Sequence, residues 1–327
     1  MNAMMTNEQL KQYEAVVGEF EKYRSLTEEE KQLVAKQIMS GTYMDLRCDW
    51  AFKHVMQDKS ILLMLLNDVL PERVDEIETD PNEIDRFFEG DKDATMDVLC
   101  HCRSTGRRFI VEIQQQRKTS FRDRMFYYGA SMIHSQVRRG QPYNQLKPVY
   151  VLCFMDFQYP HLSDQLVYRY SMLEETTHES YGEQLNIYFF EMPRLRKESM
   201  SGMDPLEGWL YLLRNLHTFA EVPEGMDRRY ARVFRAAQLT TLTDKEQLQY
   251  LRAMISEFEQ KDLYGGGFEA GFEQGVERGR EEGRAEGREE VYLLRSQEIA
   301  RALLQMNLPL ADIAKATGLS EEELRSL

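Results

Sequence analysis

The chain has 327 residues, is 42% hydrophobic and 29% charged, and carries a formal net charge of −14. This is the composition of a globular protein, and no apolar run nears the roughly 18–20 residues that span a bilayer, so a membrane partner is not expected. Four cysteines (Cys48, Cys100, Cys102, Cys153) are too few for a disulfide framework, and the first residues lack a basic stretch followed by an apolar one, so a cytoplasmic location is expected.

Residues 5–40 read as helices, with Thr27 and Glu30 spaced as a capping box and Gly41 at the stop. A second helical stretch, DWAFKHVMQDKSILLMLLNDVL, begins at Asp49, read as its N-cap, and ends at Pro71. Residues 72–93 are acidic and irregular, with one short strand near Val74–Ile77.

The centre is strand-rich. TMDVLCHC at 95–102 and RRFIVEIQQQ at 107–116 are joined by Ser104-Thr105-Gly106 and should pair as a hairpin. FRDRMFYYGASMIHSQVRRG at 121–140 reads as a helix closed by Gly140. PVYVLCFMDFQY at 148–159 has the continuous apolar run of a strand buried on both faces. Strands at 166–173 and 185–192 follow, then helices in DPLEGWLYLLRNLHTF and MDRRYARVFRAAQLTTL. This order predicts an α/β fold: a mixed central β-sheet flanked by helices, with a helical C-terminal extension.

Alternation along a strand puts Glu112 and Gln114 on one face and Val111 and Ile113 on the other. With Asp97 on the neighbouring strand, two carboxylates and a carboxamide share one surface of a buried hairpin. Such a cluster is costly unless paired or metal-bound, and a hard divalent cation suits its oxygens. An exposed polar sheet face would give the same spacing. Between Arg103 and Lys147 lie ten basic and two acidic side chains, a local net charge of +8 inside an acidic protein. That block can neutralise phosphates or simply form a solvated helix face.

The text MDVLCHCRSTGRRFIVEIQQQ resembles the catalytic hairpin of PD-(D/E)XK nucleases. The ordered blocks DWAFKHVM (49–56), LLNDVL (65–70), MDVLC, VEIQ, FRDRMFYYGASMI and PYNQLKPVYVLCFMDF resemble the Rpn family of recombination-promoting nucleases, also described as transposases. The resemblance is strong from about Tyr43 to about Asp156 and continues more weakly to about Leu263. It implies a restriction-endonuclease-like core and metal-dependent hydrolysis of DNA phosphodiesters, linked to recombination or mobile elements. It makes Asp97 and Glu112 the metal ligands, with the main-chain carbonyl of Ile113 beside them. Asp49 and Lys53 match the preceding helix, where the superfamily often adds an accessory group. The implied cofactor is Mg²⁺, with Mn²⁺ or Ca²⁺ as alternatives. Two departures stand out: Met96 replaces the name-giving proline, and Gln114 replaces the lysine. Glutamine can orient water but cannot act as a general base near neutral pH.

DNA contacts are expected from Arg117, Lys118, Arg122, Arg124 and Tyr128. Arg124 and Tyr128 lie four apart and share a helix face, where they could serve DNA or pack the helix on the sheet. Cys100 and Cys102 lack partners at zinc-ligand spacing and read as small core residues. His101 falls on the Asp97 face, either at the site or as an ordinary half-buried histidine. Gly267, Gly271, Gly275, Gly279, Gly283 and Gly287 recur every four residues among Glu and Arg, as a charged linker or a helix pairing with a second copy. ADIAKATGLSEEELRSL has helix-turn-helix text, but its second helix carries three glutamates, which favours packing or oligomerisation over base reading.

The expected organisation is N-terminal helices at 1–42, a nuclease-like core at 43–195, a helical extension at 196–264, a glycine-repeat linker or helix at 265–290 and a small helical unit at 291–327. Two alternatives differ in class: a non-catalytic DNA-binding or regulatory protein retaining the nuclease fold, and an oligomeric scaffold assembled through the C-terminal region.

Overall fold

In the computed structural model, the residues described are 5–81, 96–118, 120–159, 163–261 and scattered positions between 301 and 324. Residues 1–261 form one compact unit and residues 262–327 a second. The glycine repeat, with the assembly role expected of it, lies outside the described residues. The terminal helical unit is described only at isolated positions, among them the helical residues 314–316 and the buried Leu319 and Leu324.

The first unit opens with two helices, α1 (Asn7–Glu19) and α2 (Glu28–Ile38). Both start in capping boxes, Thr27–Glu30 as read and Thr6–Gln9, which the sequence reading passed over. The long helix expected from Asp49 is two: α3 (Asp49–Met56) and α4 (Lys59–Val69). The break has a local cause, because the Asp58 side chain accepts from Ser60 N–H and starts a new helix inside the apolar run. Asp49 is not an N-cap either. Cys48 holds that place, with no side-chain bond, and Asp49 is the first helical residue.

The six strands are β1 (Ile77–Thr79), β2 (Val98–Cys102), β3 (Arg108–Gln114), β4 (Val149–Met155), β5 (Val167–Tyr170) and β6 (Leu185–Glu191). They form one mixed sheet in the order β1-β2-β3-β4-β6-β5. β3, β4 and β6 run parallel in its middle, while β1, β2 and β5 are antiparallel to their neighbours. The α/β fold expected of the sequence is therefore present. β4 is buried at every position, as its unbroken apolar run requires.

Alternation splits the sheet's side chains between two cores. Val111 and Ile113 of β3, with Leu152 and Phe154 of β4, face α3, α4, α6 (Pro205–Asn215), α7 (Ala231–Ala236) and residues 244–261, which are helical and are termed α8. Phe154 stacks on Phe190 with ring centroids 4.7 Å apart. Ile110, Val151 and Cys153 face the other way, toward α5 (Phe121–His134). That helix ends well before Gly140. α5 lies against the sheet through Gly129, where an added Cβ would meet a Leu185 methyl at 2.5 Å and a Val151 methyl at 3.2 Å. Gly129→Ala is therefore expected to destabilise the protein by about 1–3 kcal/mol in urea unfolding, despite alanine's better helix propensity. Among the described residues, no helix is long and apolar enough to cross a membrane.

Candidate active site

The site begins where β2 and β3 start to pair. Val98 stands opposite Val111, which sets Asp97, one residue before the strand, opposite Glu112. The two then tie each other down reciprocally. Ile113 N–H donates to Asp97 Oδ2 at 2.8 Å, and Asp97 N–H donates to Glu112 Oε1 at 3.0 Å. Each carboxylate is thus held by the main chain beside the other, and both are buried, Asp97 with 7% and Glu112 with 2% of its surface exposed.

From α3, Lys53 reaches the same point. Its ammonium lies 3.3 Å from Asp97 Oδ1 and 2.7 Å from Asp49 Oδ1, one helical turn back. Burial pushes the Asp97 carboxyl well above the usual carboxylate range; Glu112 and Asp49 push it further, and Lys53 opposes them. Burial likewise pushes Glu112 up to about 7, against the Asp97 N–H and the charges of Arg124 and Lys53. The physical reading is a surplus of buried negative charge that one lysine does not balance.

Arg124 and Tyr128 do share a face of α5, and it is the face turned to the sheet. The Arg124 guanidinium lies 5.8 Å from the Phe121 ring centroid and 6.0 Å from that of Tyr128. Two of its nitrogens are buried without a hydrogen-bond partner. Tyr128 is itself buried, and burial and then Glu112 raise its phenol. Arg117 and Arg122 lie elsewhere, over the ring of Tyr159 at 4.6 and 5.8 Å. Glu191, fully buried, accepts from Tyr159 N–H at 3.0 Å and pairs with Arg194.

Gln114, at the end of β3, lines a cavity of about 220 Å³ together with Asp49, Asp97, Lys118, Glu257 and Gln260. Lys118 Nζ donates to Gln260 Oε1 at 3.3 Å. The +8 block is narrower than its charge count suggests. Arg103 is held by Glu76 and Glu78, and Arg107 by Glu72, all from the acidic stretch before the hairpin. His101 is occupied too, 2.9 Å from Asp80 and 3.6 Å from Glu78. The four cysteines are free and buried, with Cys100 and Cys102 in the core.

The sequence reading missed Glu257, Gln260 and Arg47. The only local sign of Glu257 was its place beside the apolar spacing Leu251, Met254, Ile255. Arg47 bonds Asp45 at 2.7 Å and Asp156 at 2.9 Å, joining the chain before α3 to the end of β4. Among the described residues, no three or more His, Cys, Asp or Glu side chains are arranged to hold a metal ion. The donors on offer are the Asp97–Glu112 pair and nearby main-chain oxygens.

A family model described as PD-(D/E)XK nuclease family transposase matches residues 46–263, more than half of the chain. The chain belongs to this family. A second model, the C-terminal HTH domain of the Rpn/YhgA-like nuclease family, matches residues 294–327. No curated protein and no solved structure matches the chain. For a PD-(D/E)XK nuclease family transposase, the matched span takes in the whole sheet and runs through Glu257 and Gln260. The second match agrees with the helix-turn-helix text read at 311–327.

Proposed function

We propose that the protein is a divalent-metal-dependent endodeoxyribonuclease acting in recombination or on mobile elements. The observation that carries the reading is the buried, reciprocally bonded Asp97–Glu112 pair with its raised carboxyl groups. Hard oxygen donors with unbalanced negative charge fit Mg²⁺, or Mn²⁺ or Ca²⁺ in its place. Asp97 and Glu112 would hold the ion, with the Ile113 carbonyl beside them. A bound ion of this kind activates water and neutralises charge on the phosphodiester.

The chain's own residues do the rest. Gln114 lines the cavity and can accept from or donate to a water there, which orients it without removing its proton. Lys53 keeps a positive charge beside Asp97 and Asp49, in the neighbourhood where a lysine at position 114 would have supplied one. Arg117, Lys118 and Arg122 are the cations offered to phosphates from the loop and first turn before and within α5. Arg124 instead supports Glu112 from behind, and Tyr128 packs.

A second reading keeps the fold and the DNA but not the chemistry. It is favoured by Gln114, which is no base, and by an Asp97 carboxylate already engaged by Ile113 N–H and Lys53. The test is incubation of supercoiled plasmid with the protein and Mg²⁺, against a chelator control. Metal-dependent nicking is the expected result. Retained DNA binding without cleavage across divalent metals and pH would replace the first reading with the second.

A further inference from the structure

A long cationic side chain at a surface is ordinarily mobile, and binding through it costs the freedom it then loses. A guanidinium laid on an aromatic ring has lost much of that freedom beforehand and keeps N–H donors for a second partner. Arg117 and Arg122 are both placed in this way on one ring. The Arg117 guanidinium lies 4.6 Å and that of Arg122 5.8 Å from the ring centroid of Tyr159. Arg122 also lies 5.4 Å from the ring centroid of Tyr170, on the edge strand β5.

Tyr159 is fixed at both of its main-chain groups. Its N–H donates to Glu191 Oε1 at 3.0 Å, and its carbonyl accepts from Arg194 Nη2 at 2.9 Å. Glu191 and Arg194 bond one another, and Glu191 is fully buried at the end of β6. The Tyr159 ring is itself buried. It runs nearly parallel to those of Phe121 and Phe189, with centroids 6.2 and 6.4 Å away, and meets Phe157 edge-on at 5.7 Å. The ring is thus the fixed member of the stack, and the arginines take their places from it.

The pair also adjoins the candidate centre. Gln116 and Lys118, the neighbours of Arg117 on either side, line the cavity that contains Asp97 and Gln114. Arg103 and Arg107, at the other end of the basic block, are held by acids. Arg122 is exposed, and among the described residues no carboxylate pairs with it.

We propose that Tyr159, helped by Tyr170, is a positioning residue that arrays Arg117 and Arg122 as a backbone-phosphate site for the DNA strand at the cavity. The inference rests on the nuclease reading above and deepens it. Each guanidinium presents a planar fork of donors that matches the oxygens of a phosphate. The site reads charge and geometry, so it takes DNA of any sequence. Tyr159 touches no phosphate and acts through the two arginines.

The test is DNA binding by the full-length protein, followed by fluorescence anisotropy in chelator over a range of salt, on two duplexes of unrelated sequence. Arg117→Gln and Arg122→Gln are each expected to make the slope of log affinity against log salt shallower by about 1, equally on both duplexes. An unchanged slope in both variants, or a change confined to one sequence, overturns the proposal. Tyr159→Leu is expected to weaken binding about fivefold, while Tyr159→Phe, which keeps the ring, stays within about twofold of wild type. In the Arg117→Gln/Arg122→Gln background Tyr159→Leu should have no further effect. Equal losses in the two backgrounds, the mark of a merely structural residue, overturn the proposal. Should Tyr159→Leu not fold, Tyr170→Leu on the edge strand runs the same cycle: about twofold weaker binding with Arg122 present and no loss in Arg122→Gln, an equal loss in both again being the overturning result. If the proposal fails while Asp97→Ala still removes plasmid cleavage, the nuclease reading survives. A wild-type protein that binds no DNA overturns both.

Discussion

Asp97→Ala should lower metal-dependent plasmid cleavage by about a thousandfold or more, the scale expected when a group that holds a catalytic cation is removed. The loss should be specific to chemistry. Asp97→Asn keeps an oxygen to accept Ile113 N–H and so keeps the β2–β3 junction closed, but carries no charge for the ion. Its expected signature is a folded protein no less stable than wild type with the same loss of cleavage, and residual cleavage above about a tenth of wild type would remove Asp97 from the proposed centre.

The same pair sets a pH dependence of stability. Both carboxyl groups are raised in the folded protein, Glu112 to about 7 and Asp97 well above its ordinary value, chiefly by burial. A raised carboxyl binds its proton more tightly folded than unfolded, so its stabilising contribution is full below the ordinary carboxylate range. That contribution is lost as pH rises through the folded value. In a chelator, the unfolding temperature should therefore fall between about pH 5 and about pH 8, and Mg²⁺ should restore it at the upper end. Asp97→Asn removes one of the two titrations and should flatten the curve. A wild-type curve that rises over this interval in chelator would count against a metal-free pair carrying surplus charge.

Arg47→Ala should destabilise the fold by about 3–5 kcal/mol, the range for removing one partner of a buried ion pair. Arg47 donates through Nε and Nη2 to Asp45 and through Nη1 to Asp156, with Arg214 on the other oxygen of Asp156 at 3.1 Å. Removing it leaves the Asp45 carboxylate, its side chain 8% exposed, with the main-chain N–H of position 47 at 3.0 Å and His217 at 3.7 Å. The position also lies on the cavity wall beside Asp49, so misplacement there should spread to the candidate site. Urea unfolding gives the magnitude. A change below about 1 kcal/mol would mean that solvent, rather than Arg47, satisfies these two acids.

What was legible in the sequence was what depends on near neighbours. The hairpin announced itself through its period of two and its Ser-Thr-Gly turn, and that period placed Glu112 with Gln114 and apart from Ile113. The break at Asp58 was equally local but was masked by the apolar residues on either side. Distant partners left no such mark. Nothing near Arg47 tells that it will reach Asp156, and nothing near Arg103 tells that Glu76 and Glu78 will claim it. The inward turn of Arg124 and Tyr128 also depends on which face of α5 meets the sheet. Spacing pairs those two residues correctly but cannot choose their side.

Cys153 stands beside Glu112 in the parallel register of β3 and β4, its thiol fully enclosed and kept protonated by burial and by that carboxylate. The position therefore limits how the sequence can drift. A small, uncharged side chain is all the space and the field allow, and an aspartate arising there would set a further negative charge against Glu112 inside the sheet. Lineages that alter the chemistry of this centre should then do so from the cavity side, at positions such as 114 and 118, while the wall behind Glu112 stays nearly fixed.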